Sequence, residues 1–439
     1  MSEKYALLVG QSGGCTAVMN ATLAGVIETA RRQSASLAYR QAGRRIRTIL
    51  GARHGVSGLL EGDVVRLDNL SAEEIEQLAS TPAAALGSCR HRLDEREAAQ
   101  AAGFLAENKV RSFVYIGGND SAETVHLIHL AAARLGHDLR AVAAPKTIDN
   151  DLPETDHCPG YGSAARFVAC VTSDAGMDTE AMRRIEPVKI IEVMGRNAGW
   201  LAASSVLAKR DAADAPQIVW PPELPFSGTR FIEAVERALG EIGRAVIVIA
   251  ETIRDESGRY VSEQAHSAEA PGKQGADLGF PGRFPFVGSI RLRRPREGGM
   301  ERSAHDGFGH ARPIGAAGQL CELVGERLGV RARWDRPGTI QRMSSSHVSP
   351  VDLAEARMVG GAAVQAACSG ETDVMVTLVR EQGGEYSCST GLAPLEKIVG
   401  RERLLPESFF DPDSLMPTEE FRRYALPLVG PGLPRHFRL

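Results

Sequence analysis

Short apolar runs alternate with longer amphipathic stretches along most of the chain, the pattern of an α/β protein built on a largely parallel sheet. The apolar runs predict strands over 5–9, 47–50, 112–116, 139–143, 188–193, 217–220, 245–250 and 373–379. Between them, helical spacing of apolar residues predicts helices over 17–32, 122–135, 164–182, 198–209, 231–242 and 353–367. No repeat of fixed period breaks this alternation, which argues against a solenoid.

Five of the predicted strands run into polar or glycine-rich turns. These are Gly10 to Gly14, Gly117 to Ser121, Pro145 to Asp151, Met194 to Asn197, and Glu251-Thr252. In an open α/β sheet, ligands sit just beyond the carboxyl ends of the strands, so these turns form a site hypothesis by position alone. From about 266 to 303 the pattern fails. Gly, Pro and Arg crowd there without periodicity, which predicts a surface insertion; a basic lid or an oligomer contact is the alternative.

Length and composition then narrow the class. A chain of 439 residues exceeds what one hydrophobic core usually carries, so two lobes are expected. Its 43% hydrophobic and 24% charged residues exclude a mainly disordered chain. With 51 basic and 55 acidic residues the net charge is −4, so no basic excess points to nucleic acid or an anionic membrane as partner. No apolar run approaches a membrane span or a signal-peptide core. Seven scattered cysteines without a CxxC pair suggest neither a disulfide framework nor a zinc site, and a cytoplasmic location is expected.

The turns themselves carry the chemistry. Gly13-Gly14 stands between a strand and a helix, where backbone N–H groups can approach a phosphate. Gly117-Gly118-Asn119-Asp120-Ser121 is a second turn of this kind, although Asp120 or Ser121 could equally cap the next helix. Pro145-Lys146-Thr147-Ile148-Asp149-Asn150-Asp151 combines a cation, a hydroxyl and two carboxylates. Phosphoryl transfer to an alcohol needs such a set: a base for the hydroxyl proton, carboxylates for Mg²⁺ and a cation for the donor phosphates. Met194-Gly195-Arg196 offers close backbone approach and a bidentate phosphate grip. Glu251 reads either as a helix-start carboxylate or as an acceptor for sugar hydroxyls. Arg333 and Arg342, the latter after Thr339-Ile340-Gln341, are further phosphate-binding or merely surface arginines.

In this order the motifs, together with Gly87-Ser88-Cys89-Arg90, resemble the 6-phosphofructokinase family. Asp120 after Asn119, and Lys146 before Thr147, resemble its pyrophosphate-dependent branch; the ATP-dependent enzymes carry Gly at both places. The resemblance implies two doubly wound, largely parallel α/β lobes with the active site in the cleft between them. The lobes are expected at 1–153, for pyrophosphate and Mg²⁺, and 154–400, for fructose 6-phosphate. A C-terminal segment, 401–439, is expected to pack back on the first lobe. The implied reaction is reversible, Mg²⁺-dependent transfer from pyrophosphate to the 1-hydroxyl of fructose 6-phosphate; the alternatives are an ATP-dependent enzyme of the same fold and a weakly catalytic sugar-phosphate-binding regulator.

Carried over by motif, Asp149 is the base, with Thr147 and Ile148 beside the reacting hydroxyl and Asp151 in support. Met194, Gly195, Arg196 and Glu251 hold the sugar phosphate, and Thr339, Gln341, Arg342 and Arg333 complete that side. Gly13, Arg90, Asp120 and Lys146 line the pyrophosphate pocket, with Asp120 and Asn119 as metal ligands. The resemblance further implies a homodimer or homotetramer, because a neighbouring subunit completes the sugar-phosphate site.

Three positions depart from the family pattern. Asn119 stands where many relatives have Asp, Thr339 where they have His or Tyr, and Pro187 near a phosphate-gripping Arg that Arg183 or Arg184 could replace. The donor choice has a physical rationale. A carboxylate at 120 would meet the α-phosphate of ATP, and two like charges ~4 Å apart at an effective dielectric near 20 repel by ~4 kcal/mol. That penalty disfavours ATP by roughly a thousandfold.

Overall fold

The computed structural model describes residues 3–36, 44–266 and 315–438. Each of the eight predicted strands is present, with ends displaced by a few residues at most. In chain order the strands that matter here are β1 (Glu3–Gln11), β2 (Arg44–Ala52), β3 (Val64–Arg66), β4 (Val110–Gly117), β5 (Arg140–Pro145), β6 (Val188–Val193), β7 (Ile218–Trp220), β8 (Ala245–Ala250), β9 (Ala332–Asp335), β10 (Val374–Arg380) and β11 (Cys388–Pro394).

They form two larger sheets. The first runs β11-β10-β5-β4-β1-β2-β3, parallel throughout except for the antiparallel edge strands β11 and β3. The second is parallel, in the order β7-β8-β6-β9. Strands such as β4, β6 and β8 are apolar and almost wholly buried, as expected where helices cover both faces of a sheet.

The first sheet is sandwiched. One face carries α1 (Met19–Ala35) and α11 (Pro350–Ser369), the other α4 (Glu95–Glu107) and α5 (Asn119–Arg134). Helices α1 and α11 nearly touch along their backbones. A Cβ on Gly25 would lie 2.0 Å from the Arg357 carbonyl oxygen, and one on Gly360 would lie 1.9 Å from that of Thr22. The small helices α2 (Gly55–Glu61) and α3 (Ala72–Ser80) complete this lobe.

The second sheet packs against α6 (Tyr161–Met182), α7 (Trp200–Ser204), α8 (Gly228–Ile242) and α9 (Ala317–Leu328). The short α10 (Ile340–Met343) follows β9.

The lobe boundaries differ from the expected 154–400 division. β10 joins β5 as a parallel neighbour, and α11 covers the same sheet, so the chain returns to the first lobe well before residue 400. The C-terminal segment differs in the opposite sense. Helix α12 (Glu419–Val429) sinks Phe421, Ala425, Leu428 and Val429 into the core that contains Trp200 and α6, in the second lobe. The apolar face of α12 finds its partner there, because both faces of the first sheet are already covered. The insertion expected over 266–303 lies, from 267 onward, outside the described residues. Among the described residues no helix is long and apolar enough to cross a membrane.

Candidate active site

Strands β5, β4 and β1 are consecutive neighbours in the first sheet, so their carboxyl-terminal turns stand side by side. Strands β8 and β6 do the same in the second. These five turns surround a cleft of about 570 Å³.

On the first-sheet side the turn after β1 is tied to the 86–90 segment. Gln11 Oε1 accepts the Leu86 N–H at 3.0 Å, Gly13 N donates to the Cys89 carbonyl at 3.0 Å, and Ser88 Oγ donates to the Gly13 carbonyl at 2.6 Å. These bonds carry Arg90 to the cleft wall. Gly13 has φ +77°, a conformation that favours glycine. Lys146 crosses from β5 to this turn. Only 3% exposed, it donates from Nζ to the Gly14 carbonyl at 2.7 Å. Burial pushes its pKa down to about 8. The Arg342 guanidinium arrives from the other lobe, its Nη1 2.8 Å from where a Gly14 Cβ would sit. Its buried Nε has no hydrogen-bond partner among the described residues.

The next turn holds the carboxylates. Thr147 Oγ1 accepts the Asp149 N–H at 3.1 Å, folding the backbone so that Asp149 faces the cleft. Asn150 follows at φ +57° with its side chain buried. Its Oδ1 accepts the Cys158 N–H at 3.0 Å, and its Nδ2 donates to the Tyr424 hydroxyl at 2.9 Å. Burial raises the pKa of Asp149, against the opposing charge of Arg196, whose Nε lies 3.8 Å away. Asp151, buried and facing the Asp149 charge, is pushed up to about 7.

On the second-sheet side, Met194 N donates to Gln341 Oε1 at 3.2 Å, while Gly195 (φ +143°) and Arg196 (φ +50°) turn the chain sharply. Thr252 Oγ1 donates to the Arg196 carbonyl and fixes that turn. Glu251 pairs with Arg336 at 3.4 Å, and Arg336 also pairs with Glu192 at 2.9 Å. Burial raises the pKa of Glu251, and the Arg336 charge opposes the shift.

The structure therefore gathers Gly13, Arg90, Asn119, Asp120, Lys146, Thr147, Ile148, Asp149, Asp151, Met194, Arg196, Glu251 and Arg342 around one cleft. Four expected residues stand outside its lining. Gly195 shapes the turn and Gln341 holds the Met194 amide, whereas Thr339 only precedes α10. Arg333 pairs instead with buried Glu186, and Arg183 and Arg184 are exposed at the end of α6.

Asn119 lines the cleft and is also tied to the chain behind it. Its Oδ1 accepts the Gly400 N–H at 3.0 Å and its Nδ2 donates to the Arg401 carbonyl, so the amide binds a returning strand of backbone. A tie to a segment 281 residues away in sequence left no local signal. Arg336, Tyr260 and Glu402 likewise complete the site without any motif to announce them.

A cleft between two α/β sheets that gathers Arg90, Lys146, Arg196 and Arg342 beside the Asp149 carboxylate suits a phosphotransferase, and the comparisons agree. The chain matches the phosphofructokinase family over residues 6–367 and belongs to that family. It is 36% identical, over 99% of its length and 96% of the relative's, to a pyrophosphate–fructose 6-phosphate 1-phosphotransferase from Xanthomonas campestris pv. campestris. A protein of the same name from Methylococcus capsulatus is 34% identical over 95% of this chain and 90% of its own. The crystal structure of a pyrophosphate-dependent phosphofructokinase from Nitrosospira multiformis aligns at a TM-score of 0.80 and 30% identity. That alignment covers 100% of this chain and 94% of the other.

Proposed function

We propose that the protein transfers a phosphoryl group reversibly from pyrophosphate to the 1-hydroxyl of fructose 6-phosphate, giving fructose 1,6-bisphosphate and phosphate. One observation carries the donor assignment: buried Lys146 bridges the β5 turn to the Gly13-Gly14 turn, placing an ammonium inside the donor loop. A short inorganic donor there would meet Lys146 and Arg90. Asp120, on the N-terminal turn of α5, would stand where a nucleotide's third phosphate must go, and charge repulsion excludes it.

Asp149 accepts the 1-hydroxyl proton as the sugar oxygen attacks. Thr147 holds the Asp149 backbone, and Arg196 beside it counters the charge that would oppose ionisation. Lys146 offsets charge that grows on the leaving phosphate, an interaction stronger in the transition state than in the ground state. Arg196 and Arg342 hold the 6-phosphate, and Glu251, set by Arg336, accepts from sugar hydroxyls.

Hard carboxylate oxygens in the cleft suit Mg²⁺, and Asp120 with Asp149 would hold it; Asn119 Oδ1, which accepts the Gly400 N–H, keeps one lone pair to add to them. When bound, the ion neutralises donor phosphate charge.

A homodimer or homotetramer is part of this reading. Arg333 sits on the edge strand β9 beside exposed Trp334, with exposed Ile185 and Ile340 in the flanking segments. This apolar edge supports an interface that would deliver Arg333 to a neighbour's cleft. A cytoplasmic location is consistent with these soluble phosphorylated substrates.

A coupled assay of the purified protein with fructose 6-phosphate and Mg²⁺ tests the function. Turnover with pyrophosphate should far exceed that with ATP; a preference for ATP would overturn the donor assignment, and activity with neither would overturn the reaction.

A further inference from the structure

The loop that carries Asp149 is fastened at two places. Its far end is pinned to β10: Asp156 N donates to the Leu378 carbonyl at 2.9 Å, Thr155 Oγ1 accepts the Leu378 N–H at 2.8 Å, and Arg380 pairs with Asp156 at 3.1 Å. The near end, directly beside Asp149, is gripped by Arg403. Its Nη2 and Nε donate to the Asn150 carbonyl at 2.8 and 3.3 Å, and its Nη1 donates to the carbonyls of Thr155 and Asp156 at 2.7 and 2.5 Å. Its own backbone N–H donates to the Asp151 carbonyl at 2.7 Å.

Arg403 is itself held rigidly. Its guanidinium lies over the Trp200 ring at 4.5 Å, and Trp200 Nε1 donates to its carbonyl at 3.0 Å. The preceding residues tie to both sides of the cleft, Gly400 and Arg401 to Asn119 and Glu402 to Asn197. One short segment thus touches the donor turn, the carboxylate loop and the sugar-phosphate turn.

We infer that Arg403 is a positioning residue for phosphoryl transfer: its guanidinium fork spans the carbonyls of residues 150, 155 and 156 and so fixes where Asp149 meets the acceptor hydroxyl. The inference deepens the proposed function and rests on it for the role of Asp149. A planar fork is required because the accepting carbonyls lie at opposite ends of the guanidinium. An ammonium on a flexible stem cannot reach both ends at once. Misplacing a reacting group by about 1 Å costs on the order of a hundredfold in rate.

The test uses the full chain carrying Arg403→Ala or Arg403→Lys. Each variant is compared with wild type on whichever donor the wild type uses, pyrophosphate or ATP, so an error in the donor assignment does not carry over. The expected result for Arg403→Ala is a kcat about a hundredfold lower, with KM for the donor within about twofold and partial recovery of kcat on adding methylguanidine. Arg403→Lys, which keeps the charge and the backbone ties of residue 403 to Asp151 and Trp200, should remain at least tenfold below wild type while melting near the wild-type temperature. Wild-type kcat in either variant would overturn the inference. So would an Arg403→Lys loss that appears only as a lowered melting temperature, or a loss in Arg403→Ala that methylguanidine leaves untouched while the protein stays folded.

Discussion

The two walls of the cleft are built differently. The donor wall consists of three turns that follow neighbouring strands of one sheet, and most of its groups are backbone and short side chains, Gly13, Gly14 and Gly118 to Ser121, joined by the longer Arg90 and Lys146. The acceptor wall draws on residues far apart in sequence. Met194 needs Gln341, Glu251 needs Arg336 and Glu192, and Asn197 needs Glu402. The donor wall is fastened mainly through backbone groups, such as those of Gly13, Gly14, Cys89 and Gly400, whereas the acceptor wall rests on charged pairs such as Glu251 with Arg336. The carboxylate loop joins the two and is fastened from behind by the C-terminal segment.

Four changes would break or sharpen this contrast. Asp149→Asn keeps the shape and removes the base that serves both walls. Forward kcat should fall by about 10² to 10⁴ in steady-state assays. Asp120→Gly with Lys146→Gly acts on the donor wall alone. The ratio of ATP to pyrophosphate activity should rise, by up to about a thousandfold if the full repulsion at 120 is relieved. KM for fructose 6-phosphate should hold steady.

The pH profile comes next in size. Asp149 must be ionised, and burial raises its pKa, so kcat/KM should fall as pH drops through a range above that of ordinary carboxylates. It should also fall as pH climbs past about 8, where Lys146 loses its proton. Asp151, pushed up to about 7 beside the Asp149 charge, is already protonated where Asp149 titrates, so Asp151→Asn should leave the acid limb in place. A limb that moves to lower pH would show Asp151 charged while Asp149 titrates. The smallest effect is expected at Asn119→Asp. A carboxylate cannot donate to the Arg401 carbonyl, so stability should drop by about 1 kcal/mol. Unchanged stability would show that the tie to Arg401 carries no weight.

The same contrast decides what could be read from the chain. Strands such as Val188–Val193 and Ala245–Ala250 announce themselves as apolar runs, and the turns behind them follow by position. Helices α3 and α4 were not read from the chain, because their apolar patterns are short, although the capping boxes Ser71 with Glu74 and Asp94 with Glu97 mark their starts. What could not be read were ties closed by tertiary contact. Arg403 grips backbone carbonyls about 250 residues away and leaves no pattern. Strand β10 gives no sign in its sequence of which sheet it will join, and α12 shows an apolar face but not the core that receives it.

The central claim is that Asp120 and Lys146 cut the donor pocket to the length of pyrophosphate. A crystal structure with pyrophosphate and Mg²⁺ tests it most directly. The account predicts the donor within hydrogen-bonding distance of Lys146 Nζ and the Gly13-Gly14 turn, with the Asp120 carboxylate closing the far end. Pyrophosphate bound away from both residues, or an open channel beyond Asp120 that admits a third phosphate, would contradict it.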